Sequence, residues 1–167
     1  MILNFAKLDE IKDGGFVGFK RVGELYDDSL VIPQIKGVYL MLYTQSDNPH
    51  FLETGCGGFF KGRNPNVIID KLKANWVSDS LVVYVGKAGG FNSAATLRSR
   101  LKQYFAFGQG KPVGHQGGRD IWQLEEPKEL VVCWKPLPND EPRVIESQII
   151  NCFVKRFGRR PFANLVR

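Results

Sequence analysis

The sequence predicts an α+β domain, a small antiparallel sheet of three strands flanked by helices. Two observations carry this reading. Short runs rich in strand formers recur at Ile35–Tyr43, Leu81–Gly86 and Glu129–Trp134. Segments of helical periodicity, Ala94–Phe105 and the stretch after Pro142, follow the second and third runs. Strands and amphipathic helices in so short a chain must cover one another's apolar faces around a shared core. With 167 residues, 43% of them hydrophobic, the chain has the material for that core as a single domain over 1–167.

Taken in order, residues 5–12 place Phe5, Leu8 and Ile11 on one side and predict a short helix within an N-terminal extension, 1–34. The strand 35–43 is followed by a polar, glycine-rich segment, 44–66, and by Val67–Trp76, which could form a short helix. That excursion is too long for a hairpin, so 44–80 reads as an insertion between the first two strands. Leu81–Gly86 is apolar without alternation, as a buried strand is. Beyond Gly89-Gly90, Leu97, Leu101, Tyr104 and Phe105 fall at i, i+4, i+7 and i+8, an amphipathic helix with a basic flank. Phe107–Gly118 holds five glycines and reads as a loop; Ile121–Leu124 reads as a short helix or strand, and Glu129–Trp134 as the third strand. Asp140-Glu141-Pro142 then marks a helix start, with proline just inside the first turn. Ile145, Ile149, Cys152 and Phe153 form its apolar face, and Gly158 ends it.

Composition narrows the function. Charge is unevenly spread: the net +6 comprises +5 over 84–120, +5 over 151–167 and −4 over the remainder. Two basic blocks on an acidic background are the footprint of a polyanionic partner, because each lysine or arginine beside a phosphate releases a condensed counterion. Apolar runs such as Val38–Tyr43 fall far short of the roughly 18 residues a membrane span needs, so no membrane partner is expected. The first residues turn charged too soon for a secretory signal, and the expected compartment is the cytoplasm. Cys56, Cys133 and Cys152 are odd in number and form no C-x-x-C pair, which predicts buried thiols rather than a disulfide framework or a zinc site.

Phosphate-loop patterns are absent: Gly86-Lys87 is followed by Ala88, and Gly108-Gln109-Gly110 lacks the third glycine at its required spacing. What recurs instead is tyrosine beside glycine on consecutive strands. Gly37-Val38-Tyr39 opens the first and Tyr84-Val85-Gly86 closes the second, followed by Lys87. Arg100 and Tyr104 come next on a helix, Glu146 on the last helix, and Arg160-Pro161-Phe162-Ala163-Asn164 after it. From Gly37 to Asn164 this order resembles the GIY-YIG nuclease family, with local similarity to the nuclease domain of its excinuclease members. Two departures stand out: Tyr39 and Tyr84 are 45 residues apart rather than in a close hairpin, and Gly89–Ser93 adds five residues before the helix. Both lengthen loops, where length costs little.

The resemblance implies a metal-dependent DNA endonuclease, of restriction or repair type, cutting duplex or branched DNA by water attack. A homodimer is expected if both strands are cut, since one site handles one strand. Tyr39 and Tyr84 would orient water, one of them serving as general base. Lys87 would support them, and Arg100 would grip the scissile phosphate with its planar donor fork. Tyr104 occupies a position where relatives carry Tyr or His, and Asn164 would bond the site's loops or a phosphate. Glu146 would hold Mg²⁺ or Mn²⁺, for which one carboxylate completed by water and phosphate suffices. His115, in the glycine-rich loop, is a candidate auxiliary proton acceptor. The alternative is a nucleic-acid-binding module that keeps the scaffold without the reaction.

Overall fold

The computed structural model describes residues 4–115 and 117–165. Along the chain run α1 (Leu8–Asp13), β1 (Val17–Arg21), α2 (Val22–Asp27), β2 (Gly37–Leu42), α3 (Ile69–Asn75), β3 (Val82–Ala88), α4 (Leu97–Gly108), β4 (Val131–Pro136) and α5 (Pro142–Phe157). The α+β class stands, but among the described residues the sheet has four strands rather than three. They are antiparallel and ordered β1-β4-β2-β3. The added strand comes from the N-terminal extension and pairs with β4, with a bulge between Gly18 and Lys20. Gly18, at φ +97, is required there because a Cβ would run into the Trp134 ring.

β2 is buried at all six positions, so its side chains feed cores on both faces of the sheet. Tyr39 and Met41 face α4, where they join Leu97, Leu101, Tyr104 and Trp134. Val38, Leu40 and Leu42 face the other way and join Ile11 of α1 with Ile149 and Phe153 of α5. Each fully buried side chain of this size contributes roughly 1.5–3 kcal/mol. Helices therefore cover both faces, with α4 and α5 on opposite sides.

The helix ends follow local chemistry. Thr96 and Ser99 form a reciprocal capping box at the start of α4. Pro142 opens α5, and Gly158 closes it at φ +72. Of the segment 121–124, Ile121–Gln123 belong to a 3₁₀ turn, Arg119–Gln123, while Leu124 forms an isolated bridge with Phe51. Buried Gln123 ties the 44–80 insertion down: its amide nitrogen donates to the Leu52 carbonyl (3.0 Å) and the Val67 carbonyl (2.9 Å), and its oxygen accepts from Val67 N–H (2.8 Å). After α5 the chain returns along β3, the edge strand on that side, where Ala163 N–H donates to the Val83 carbonyl at 2.8 Å. No described helix is long and apolar enough to cross a membrane.

Candidate active site

β2 and β3 pair with Tyr39 opposite Gly86 and Met41 opposite Tyr84. Because side chains alternate with period two, this register puts Tyr39 diagonally beside Tyr84 on one face. A shift between Met41 and Leu42 leaves Val83 as an extra residue, so Val83 and Tyr84 both join the α4-side core. Gly86 has a plain reason: the Tyr39 ring occupies the space its Cβ would need. Tyrosine beside glycine on these strands is thus one packing unit.

Tyr84, Lys87, Arg100, Glu146 and Asn164 line a single cleft of about 1200 Å³. The cleft crosses edge strand β3, and this solves a geometric problem. Arg100 belongs to α4 and Glu146 to α5, on opposite faces, yet both reach around an edge that no further strand covers among the described residues. Tyr39, buried beneath the cleft, senses both of them.

Tyr39 and Tyr104 do not line the cleft; both are enclosed. Their rings pack with that of Tyr84 at centroid separations of 6.0 Å (Tyr39–Tyr84), 6.3 Å (Tyr39–Tyr104) and 5.6 Å (Tyr84–Tyr104). Burial, with the neighbouring Tyr84 next, holds the Tyr39 phenol well above its usual pKa; Arg100 opposes the shift, and Glu146 and a hydrogen bond with Tyr84 add to it. Burial likewise raises Tyr104, whose hydroxyl donates to the Gly118 carbonyl. These two phenols stay protonated and support Tyr84, the phenol at the cleft wall.

Arg100 donates from Nη1 to Gln103 Oε1 at 2.7 Å, and Gln103 Nε2 donates to the Gly114 carbonyl at 3.2 Å, which ties the glycine-rich loop to α4. Gly117 and Gly118 pass over the Tyr84 and Tyr104 rings too closely for any side chain. Arg98, on the same helix, donates to the carbonyls of Ile32 (2.7 Å) and Leu30 (2.9 Å). Asn164 lines the cleft, yet its amide is committed to strand backbone. It accepts from Val85 N–H and donates to the Val85 carbonyl, both at 2.9 Å, and so positions β3.

His115 does not behave as a proton acceptor for neutral pH. It is 2% exposed, stacks on Tyr104 at 4.3 Å, and is pushed down to about 3 by burial and then by Arg100. The Gly117 backbone slightly favours the protonated ring, but neither nitrogen makes a hydrogen bond of normal geometry among the described residues.

Sequence reasoning missed three cations of the cleft wall as site residues, Arg119, Arg143 and Arg160. Arg119 and Arg160 belong to the two basic blocks. Arg143 lies one helical turn before Glu146, a spacing that puts both on one flank of α5. With Lys87 and Arg100 they give five cations, against Glu146 as the one carboxylate among the described lining residues. No group of three His, Cys, Asp or Glu side chains suited to a metal occurs among the described residues. A cation held by protein ligands alone is thus a poor fit. One that keeps most of its water and takes further oxygens from a bound phosphate fits Glu146 well. None of the lining residues comes from the 44–80 insertion, which packs instead on the Arg119–Gln123 turn and the end of α4. No protein-family model, curated protein or solved structure matches the chain.

Proposed function

We propose that the protein is a metal-dependent phosphodiester hydrolase that cuts DNA endonucleolytically, with the cleft over β3 as its active site. One observation carries the reading: a phenol, a guanidinium, a lysine and a carboxylate from separate elements share one cation-lined cleft. Phosphodiester hydrolysis needs an oriented water, cations for the charge growing on the phosphate, and support for the leaving oxygen. Arg100 is suited to the non-bridging oxygens, since its planar fork matches phosphate geometry. Tyr84 would orient the attacking water, with the Tyr39 ring packed edge-on against it from below. Lys87 adds positive charge on the same strand. As the water oxygen bonds to phosphorus, the P–O bond to the leaving oxygen breaks. The proton released by the water passes to bulk solvent at the open cleft, and the leaving oxygen takes one up from solvent. Mg²⁺ or Mn²⁺ held at Glu146 would supply charge stabilisation beside the phosphate.

The test is cleavage of supercoiled plasmid and of branched DNA with Mg²⁺ or Mn²⁺. Glu146→Gln and Arg100→Ala should each lower the rate by about 10²-fold or more, as loss of a transition-state contact does. Both variants should keep the wild-type melting temperature, since these side chains are only partly buried. Full activity in both variants overturns the assignment. Salt-sensitive DNA binding without cleavage in any metal would leave the scaffold as a nucleic-acid-binding module.

A further inference from the structure

The turn between β3 and α4 carries the most exposed large hydrophobic side chain in the described structure. Phe91 is 92% exposed. The backbone beneath it is held from several sides. Gly90 and Ser93 form an isolated bridge, and Ser93 N–H donates to the Gly90 carbonyl at 3.2 Å, closing a tight turn with Phe91 and Asn92 at its tip. Phe91 N–H donates to Glu141 Oε2 at 3.1 Å, which ties the turn to the start of α5. Glu141 packs so closely on Gly90, at φ +137, that a Cβ there would collide with its carboxylate. Ser93 Oγ accepts from Ala95 N–H at 3.3 Å on the way into α4.

The position of this turn gives the exposed ring its meaning. Gly89 and Ser93 are part of the cleft wall, alongside Lys87, Arg100 and Arg143. An aromatic ring on a braced turn next to a cation-lined groove is the combination that binds unpaired nucleotides: cations follow the backbone while the ring stacks on a base. Exposing a phenylalanine fully is unfavourable in water, and the braced backbone fixes the turn that carries it beside the groove.

We propose that Phe91 is a base-stacking residue that engages an unpaired nucleobase next to the scissile phosphate, so that the preferred substrate is DNA with a single-stranded flap or branch. This rests on the nucleic-acid reading of the cleft, and adds to it a substrate preference and a residue outside the motif. The ring touches the substrate's base and takes no part in the bond-breaking step.

The experiment measures binding of fluorescein-labelled flapped and blunt duplexes by anisotropy, in EDTA so that nothing is cut, with wild type, Phe91→Ala and Phe91→Trp. Wild type should prefer the flapped duplex. Phe91→Ala should lose about 5- to 150-fold on the flapped duplex, the range for one stacked base, with little change on the blunt one. Its salt slope should match wild type, because the phosphate contacts remain. Phe91→Trp should restore the preference, and its emission should be quenched when the flap binds. A ring this exposed contributes little to folding, so equal melting temperatures are the control. If wild type binds the flap and Phe91→Ala binds it equally well, the stacking role is wrong while the cleft assignment stands. If wild type binds neither DNA even at low salt, both fall together.

Discussion

His115 gives a sharp quantitative expectation. Its ring is buried against Tyr104 and held neutral by burial and by Arg100, pushed down to about 3 from an ordinary value of 6.5. The unfolded chain takes up a proton at this residue as pH drops through 6.5, whereas the folded one does not until about 3. Stability is therefore fully present above 6.5 and is lost as pH falls from there toward 3. Between pH 7 and pH 5 the difference in proton uptake amounts to about 2 kcal/mol from this one group. The perturbation is His115→Phe, which keeps an aromatic ring on Tyr104 but cannot titrate. Urea unfolding at the two pH values gives the stabilities, and the wild-type loss should exceed that of the variant by about 2 kcal/mol. Burial also raises the pKa of Asp120, with an opposite pH trend, but that contribution is common to both proteins and cancels. Curves that run parallel across this window would show that the ring is not kept neutral in the folded protein, and would refute the reasoning.

Gly86→Ala should destabilise by about 1–3 kcal/mol in denaturant unfolding, because the new methyl meets the Tyr39 ring in a filled core. Asn164→Leu should destabilise by about 1–3 kcal/mol, since Val85 N–H and C=O lose their side-chain partners at a partly buried strand edge. Equal stability would mean that water replaces the amide there without cost. Arg143→Ala and Arg160→Ala should each weaken DNA binding almost equally for all sequences and reduce the salt slope by about one. An unchanged slope would place that arginine outside the phosphate path.

Sequence and structure agree where a strand or helix has an apolar stripe of its own. β2, β3, β4, α4 and α5 each carry one, and their placement follows from it. β1 was not legible because it is an outer strand with four of its five residues exposed, so no alternation marks it. Its identity depends on pairing with β4 and on the Trp134 ring lying over Gly18, neither of which is local. The site shows the same division. The two tyrosine–glycine strands, Arg100 and Glu146 are readable as spaced residues, and the fold brings Tyr84, Arg100 and Glu146 into one cleft. Enclosure is not readable in that way: Tyr39, Tyr104 and His115 owe their roles to burial by several separate segments. Asn164 illustrates a further limit, since a polar residue near a site looks the same in sequence whether it faces ligand or backbone.

The way the sheet ends on each side has a consequence for how copies of this protein can meet. On one side the returning tail and the Asn164 amide occupy backbone groups of β3 that another chain would need for strand addition. On the other, β1 is bent by its bulge, with Gly18 and Phe19 at positive φ and Lys20 and Arg21 adding charge. Such margins make poor templates for an incoming strand. Two copies that associate should therefore do so through side-chain surfaces, and the folded protein should resist joining others edge to edge into fibrils.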